Sequence, residues 1–247
     1  MTNRARQPPY AWVISAYDRD WEALGLVEQL LAAGVRLGLI GTLDRLGLGD
    51  QDRPQPLPPH TPAEVPGLLG AALWGQPGPK QLTAAGTTPV DWQLALSWFR
   101  DSPPGAEKLE AIGSLTLRFD RGTWDDAAST ALWAEFCALH GAANTTHASI
   151  ESWDLALDLR DRAPPLISQA TMDSVYWANY LDPECMTHFE RDRLDLSGAA
   201  EARWGTDGDL HLRLSATLGA GPTPAERARV EALRRRLLDA FRAARAA

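Results

Sequence analysis

Apolar and polar positions alternate most strictly from Asp91 to Phe99, where Trp92, Leu94, Leu96 and Trp98 are separated by polar or small residues. A side-chain period of two puts all four on one face of a half-buried strand. The stretch 114–120 repeats the pattern with Leu115, Leu117 and Phe119, and the turn-rich residues between the runs predict antiparallel neighbours. Residues 10–17 read as a further strand, followed by Trp21, Leu24, Val27 and Leu31 at helical spacing. Asp18 fits that helix as N-cap, Asp20 and Glu22 favour its first turn, and Gly34 is the expected stop. Residues 35–43 then predict a strand.

A mostly apolar helix is predicted over 123–141 through Trp124, Leu132, Trp133, Phe136 and Leu139, and Asp125-Asp126 suits its start. Residues 147–159 fit a strand or a helix. The clearest hairpin spans 199–216 and turns at Asp207-Gly208. The last helix, 224–244, lines up Val230, Leu233, Leu237 and Phe241 on one stripe; Arg234 falls inside it and is expected to snorkel. Between Gly49 and Pro89 the chain is too rich in proline and glycine for regular structure, which predicts an ordered loop or linker. The expected fold class is therefore α+β, an antiparallel sheet flanked by helices in a single main domain. Its parts are a strand-helix-strand over 1–48 within that domain, a loop or linker over 49–90, and an α+β region over 91–247.

Composition narrows the function. The 247 residues are 45% hydrophobic and 23% charged, ordinary for a globular chain, and the longest apolar run is broken by Glu28, Gln29 and Arg36. No membrane span is expected. The N-terminus lacks the apolar core of a secretion signal, and Cys137 and Cys185 have no metal or redox spacing, so the expected location is the cytoplasm. The net charge of -8 sits mainly in residues 149–213, which hold thirteen acids and six arginines, whereas 222–247 hold seven arginines and three acids. Such a balance disfavours nucleic acid as a partner and suits a cationic protein.

No motif commits the chain to catalysis. Gly47 and Gly49 follow a strand signal but lack the third glycine and the helix of a phosphate loop. His60, His140, His147, His188 and His211 are scattered without zinc spacing, so neither metal nor cofactor is expected. The chain is read as a non-enzyme. Another class stays open, a hydrolase using His147 or His188 with nearby acids, and so does a general protein-interaction module.

One segment is distinctive. Residues 174–181 pack Tyr176, Trp177 and Tyr180 around Asn179 ahead of a short charged helix that Pro183 permits to begin. Aromatics on both faces of a strand mark a central strand covered on both sides, with Asn179 bonded to neighbouring backbone. The alternative is a binding surface made of the same Tyr176, Trp177, Asn179 and Tyr180. With the following hairpin and terminal helix, this segment resembles the C-terminal half of bacterial immunity proteins of polymorphic toxin systems, the family called immunity protein fifty-two and related type VI secretion immunity proteins. The resemblance runs from about Asp91 to Phe241. It implies a protein without turnover that occludes one cognate toxin, possible cationic nucleases included, and it carries over no catalytic residues.

Overall fold

The structure, a computed structural model, describes residues 9–17, 25–48, 55–61, 63–65, 67–69, 80–101, 110–141, 145–152, 175–219 and 223–244. The first five strands are β1 (Tyr10–Tyr17), β2 (Leu43–Leu48), β3 (Gln55–His60), β4 (Lys80–Gly86) and β5 (Asp91–Asp101). They are followed by β6 (Glu110–Asp120), β7 (His147–Ser152), β8 (Ala178–Leu181), β9 (Glu201–Trp204) and β10 (Leu210–Arg213). Among the described residues the helices are α1 (Leu26–Arg36), α2 (Asp126–Leu139), the single turn α3 (Pro183–Met186) and α4 (Pro224–Ala244), with a 3-10 turn at Arg191–Arg193.

All ten strands join one antiparallel sheet in the order β3-β2-β4-β5-β6-β1-β7-β8-β10-β9. The fold is the α+β arrangement of an antiparallel sheet flanked by helices. Because β1 lies between β6 and β7, the first strand of the chain occupies the middle of the sheet.

The register explains both faces. One row runs Leu46, Ala84, Leu94, Leu117, Trp12, Ile150 and Ala178, and it ends on Arg213 beside Glu201. This face packs under α1 and α2, where Leu30, Leu31, Leu132 and Phe136 complete the larger core. The adjacent row runs Gly47, Thr83, Ala95, Thr116, Val13, Ser149, Asn179 and Leu212. It is small and polar through its first half and turns apolar only near α4, whose Val230, Leu237 and Phe241 join Leu181, Leu210, Leu212 and Leu214 in a second core. The period of two thus divides one sheet between two helical layers at opposite ends.

Three expectations are corrected. Residues 49–90 are not merely loop or linker, since β3 and β4 lie within them. Proline is tolerated in β3 because it is an edge strand, with Pro56 opposite Arg45. In β4, Leu82 and Ala84 are buried while Thr83 is exposed, the alternation a half-buried strand requires. Second, Gly34 does not stop α1. It lies within the helix, where a Cβ would come within 2.5 Å of Ile40 Cδ1, so glycine lets the chain fold back against the helix. The stop is two residues past the helix, at Gly38, whose φ of 65° is left-handed. Third, the strand expected at 35–43 begins only at Leu43, because Val35 and Arg36 remain helical.

The other expected elements are present. Asp125 caps α2 by accepting from the Ala128 amide at 2.7 Å. Residues 147–152 resolve to strand, and 153–159 lie outside the described residues, as do Asp18, Asp20, Trp21, Glu22 and Leu24.

Candidate interaction surfaces

The aromatic segment is interior. Trp177 is 2% exposed and Asn179 and Tyr180 are 0% exposed, leaving only Tyr176 half-buried. Asn179 accepts from the Tyr176 amide at 2.9 Å and donates to the Tyr176 carbonyl at 2.8 Å, closing the turn that leads into β8. Trp177 donates through its indole to the Ser215 carbonyl at 3.0 Å and through its amide to Glu151 at 3.1 Å. Tyr180 lies among rings, 4.7 Å from His211 and 6.0 Å from His140 between centroids. The reading of Trp177, Asn179 and Tyr180 as a binding surface is corrected on this ground: all three side chains are buried, and those of Trp177 and Asn179 are hydrogen-bonded within the fold, so they cannot meet a partner without opening it.

Arg234 departs from expectation in the same way. It does not snorkel to solvent but donates to Glu151, to Glu231 at 2.9 Å and to the Val175 carbonyl at 2.7 Å. Burial raises the Glu151 carboxyl, opposed by the Arg234 guanidinium and the amides of Ser152 and Trp177. Together the pair fastens α4 to β7 through the segment before β8.

Three of the histidines, His140, His147 and His211, come near one another in the interior. The Trp12 indole donates to His140 Nε2 at 2.9 Å, so the imidazole proton resides on Nδ1, 2.9 Å from Thr145 Oγ1. His211 Nε2 in turn donates to the His140 carbonyl at 3.1 Å. Burial holds His140 well below its ordinary range, and it brings His147 down to about 4. His188 is exposed on the turn after α3. Burial likewise pushes the Cys137 thiol up to about 12 and raises Cys185, which makes both poor nucleophiles. Among the described residues no three histidine, cysteine or carboxylate groups are placed to hold a metal ion, and no helix is long and apolar enough to cross a membrane.

The acidic stretch is largely engaged internally. Asp182 caps α3 by accepting from the Cys185 amide, Glu190 pairs with Arg193, Asp195 with Arg236, and Glu201 with both Arg203 and Arg213. Glu184, Asp192 and Asp207 are exposed and form no ion pair among the described residues. The acids at 154, 158, 161 and 173 lie outside the described residues. A feature not anticipated from sequence is a groove of about 330 Å³ between α4 and the loop at Gly198. Its only advance signal was the amphipathic pattern of α4.

No protein-family model matches the sequence, and no curated protein does either. The fold is similar to that of the Pseudomonas aeruginosa T6SS protein PA0821. That likeness has a TM-score of 0.56 at 11% identity and covers 93% of this chain and 73% of the other. At such identity the side chains of the two proteins are largely different, and what they share is the arrangement of strands and helices.

Proposed function

We propose that this chain is an immunity protein associated with type VI secretion, which binds a cognate toxin and occludes it without turnover in the cytoplasm. The observation that carries the reading is the fold likeness to a T6SS protein over 93% of the chain. The buried, internally bonded His140 and the thiols of Cys137 and Cys185, both raised by burial, agree with a role in binding rather than chemistry. The exposed carboxylates Glu184, Asp192 and Asp207 supply contacts for a cationic toxin surface, where charge complementarity speeds encounter more than it tightens the final complex.

Coexpression with a toxin encoded beside the gene tests the proposal. Growth should be rescued, and the purified pair should form a stable complex whose association slows as salt is raised. Failure to protect against every neighbouring toxin, with both proteins folded and expressed, defeats the reading.

A further inference from the structure

The groove beside α4 has an apolar floor and a cationic rim. Val230 and Leu214 are buried at its base and Leu233 is half-buried along it. Arg229 and Arg236 stand at its edge, both exposed. The two arginines differ in availability. Arg236 is committed to Asp195 at 3.3 Å and to the Ser197 carbonyl and hydroxyl. Arg229 forms no hydrogen bond or ion pair among the described residues; its charge reaches Glu226, but that carboxylate already accepts from the Thr223 amide and hydroxyl at 3.0 and 2.7 Å.

The opposite wall is kept low by Gly198. Its φ of 83° is left-handed, and a Cβ there would sit 3.2 Å from Arg236 Nη2 and 3.5 Å from Leu233 Cδ1. A side chain at this position would press on the groove from the loop side. The result is a recess large enough for an aliphatic side chain, with one uncommitted guanidinium beside it. A guanidinium left without an acceptor at the edge of an apolar recess is complemented by a carboxylate adjoining an apolar group.

We propose that this groove seats a segment of the partner protein in which an aliphatic side chain lies next to a carboxylate, the side chain on Leu214, Val230 and Leu233 and the carboxylate on Arg229. The inference rests on the immunity reading for the identity of the partner as the toxin, while the groove's chemistry stands by itself. It adds to the acidic contacts an anchor of opposite sign, contributed by the arginine on this rim that forms no ion pair among the described residues.

The test has two arms. In the first, a capped peptide of glutamate, leucine and aspartate is titrated into isotopically labelled protein, with a lysine-leucine-lysine peptide and a glutamate-glycine-aspartate peptide as controls. The acidic leucine peptide should shift the amides of Gly198, Leu214, Val230 and Leu233, and Arg229→Glu should weaken it at least tenfold. Both controls should be without effect. Shifts centred elsewhere, equal response to the lysine peptide, or indifference to Arg229→Glu overturns the groove. In the second arm, Arg229→Glu and Ala232→Asp are scored for protection against the neighbouring toxin, after confirming an unchanged melting temperature, as expected for two exposed positions. Undiminished protection by both variants refutes the groove while the immunity reading stands. Loss of protection by wild type as well, with charge-dependent peptide binding intact, refutes the immunity reading while the groove stands.

Discussion

At the scale of single residues, the interior of this sheet holds polar groups whose protonation state is fixed by their bonds. His140 Nε2 accepts from the Trp12 indole, so a second proton on the ring would displace that donor as well as charge a group without a facing carboxylate. His211 and His147 face it instead and oppose the charge further. The folded-state affinity for protons is below that of the unfolded chain, whose histidine titrates near 6.5. The stability this confers is therefore complete above about pH 6.5 and declines as pH falls below it, by roughly 1.4 kcal/mol per pH unit for one strongly depressed histidine. Thermal melts between pH 7.5 and 5 should show the decline. His140→Gln, which can accept from Trp12 and donate to Thr145 without titrating, should lessen the slope but not abolish it, because His147 and His211 are held low by burial as well. An unchanged slope in that variant would show that the acid sensitivity originates elsewhere. Little of this was legible in the sequence, since a histidine at a helix end looks the same whether it is bonded in the core or exposed. Asn179 was legible in one of its two readings, because a polar residue among Tyr176, Trp177 and Tyr180 on a covered strand must find backbone partners.

At the scale of elements, legibility followed the sharpness of hydrophobic period. β5, β6, α2, the β9-β10 hairpin and α4 carry strong periodicity and stand where the pattern predicts. β3 and β4 escaped it for different reasons. The three prolines of β3 argue against a strand unless its edge position is known, and β4 alternates only Leu82 and Ala84 with polar or small residues. The groove beside α4 was invisible because its loop wall, around Gly198, comes from beyond the β9-β10 hairpin that separates it in sequence from the helix. Arg234 was misplaced because helical spacing shows that a charge falls on the apolar face but not that Glu151, on another element, is there to receive it. That pair predicts an asymmetry. Arg234→Met alone leaves the buried Glu151 carboxylate without its cation and should cost about 3–5 kcal/mol. Replacing both, Arg234→Met with Glu151→Leu, should recover much of the loss, because burying a matched ion pair is often no better than burying apolar groups of similar volume. Chemical denaturation of the two variants measures this, and a double variant as unstable as the single one would show that the backbone contacts to Val175, Ser152 and Trp177 dominate instead.

At the scale of the whole molecule, sheet order governs how the chain can be divided. Residues 91–247 carry most of the strong sequence signals, which makes them look like a self-contained unit. The sheet order argues otherwise, because β6 and β7 do not pair with each other but are both paired to β1. Removing residues 1–90 would leave three interior strand edges unpaired, those of β6 and β7 toward β1 and that of β5 toward β4, and strip Trp12 and Ile14 from the larger core, together with the α1 residues packed in it. Unpaired interior edges are templates for association with other chains. A chain of residues 91–247 should accordingly be recovered in aggregates or melt without a cooperative transition. The same chain coexpressed with residues 1–90 as a separate piece should be rescued in part, since β1 can be supplied in trans to the gap it normally fills. Circular dichroism melts and size-exclusion profiles of the two preparations distinguish these outcomes. A cooperative, monomeric 91–247 fragment would mean that β6 and β7 can close on each other, and the register of the central sheet would then be a consequence of chain order and not the condition for folding.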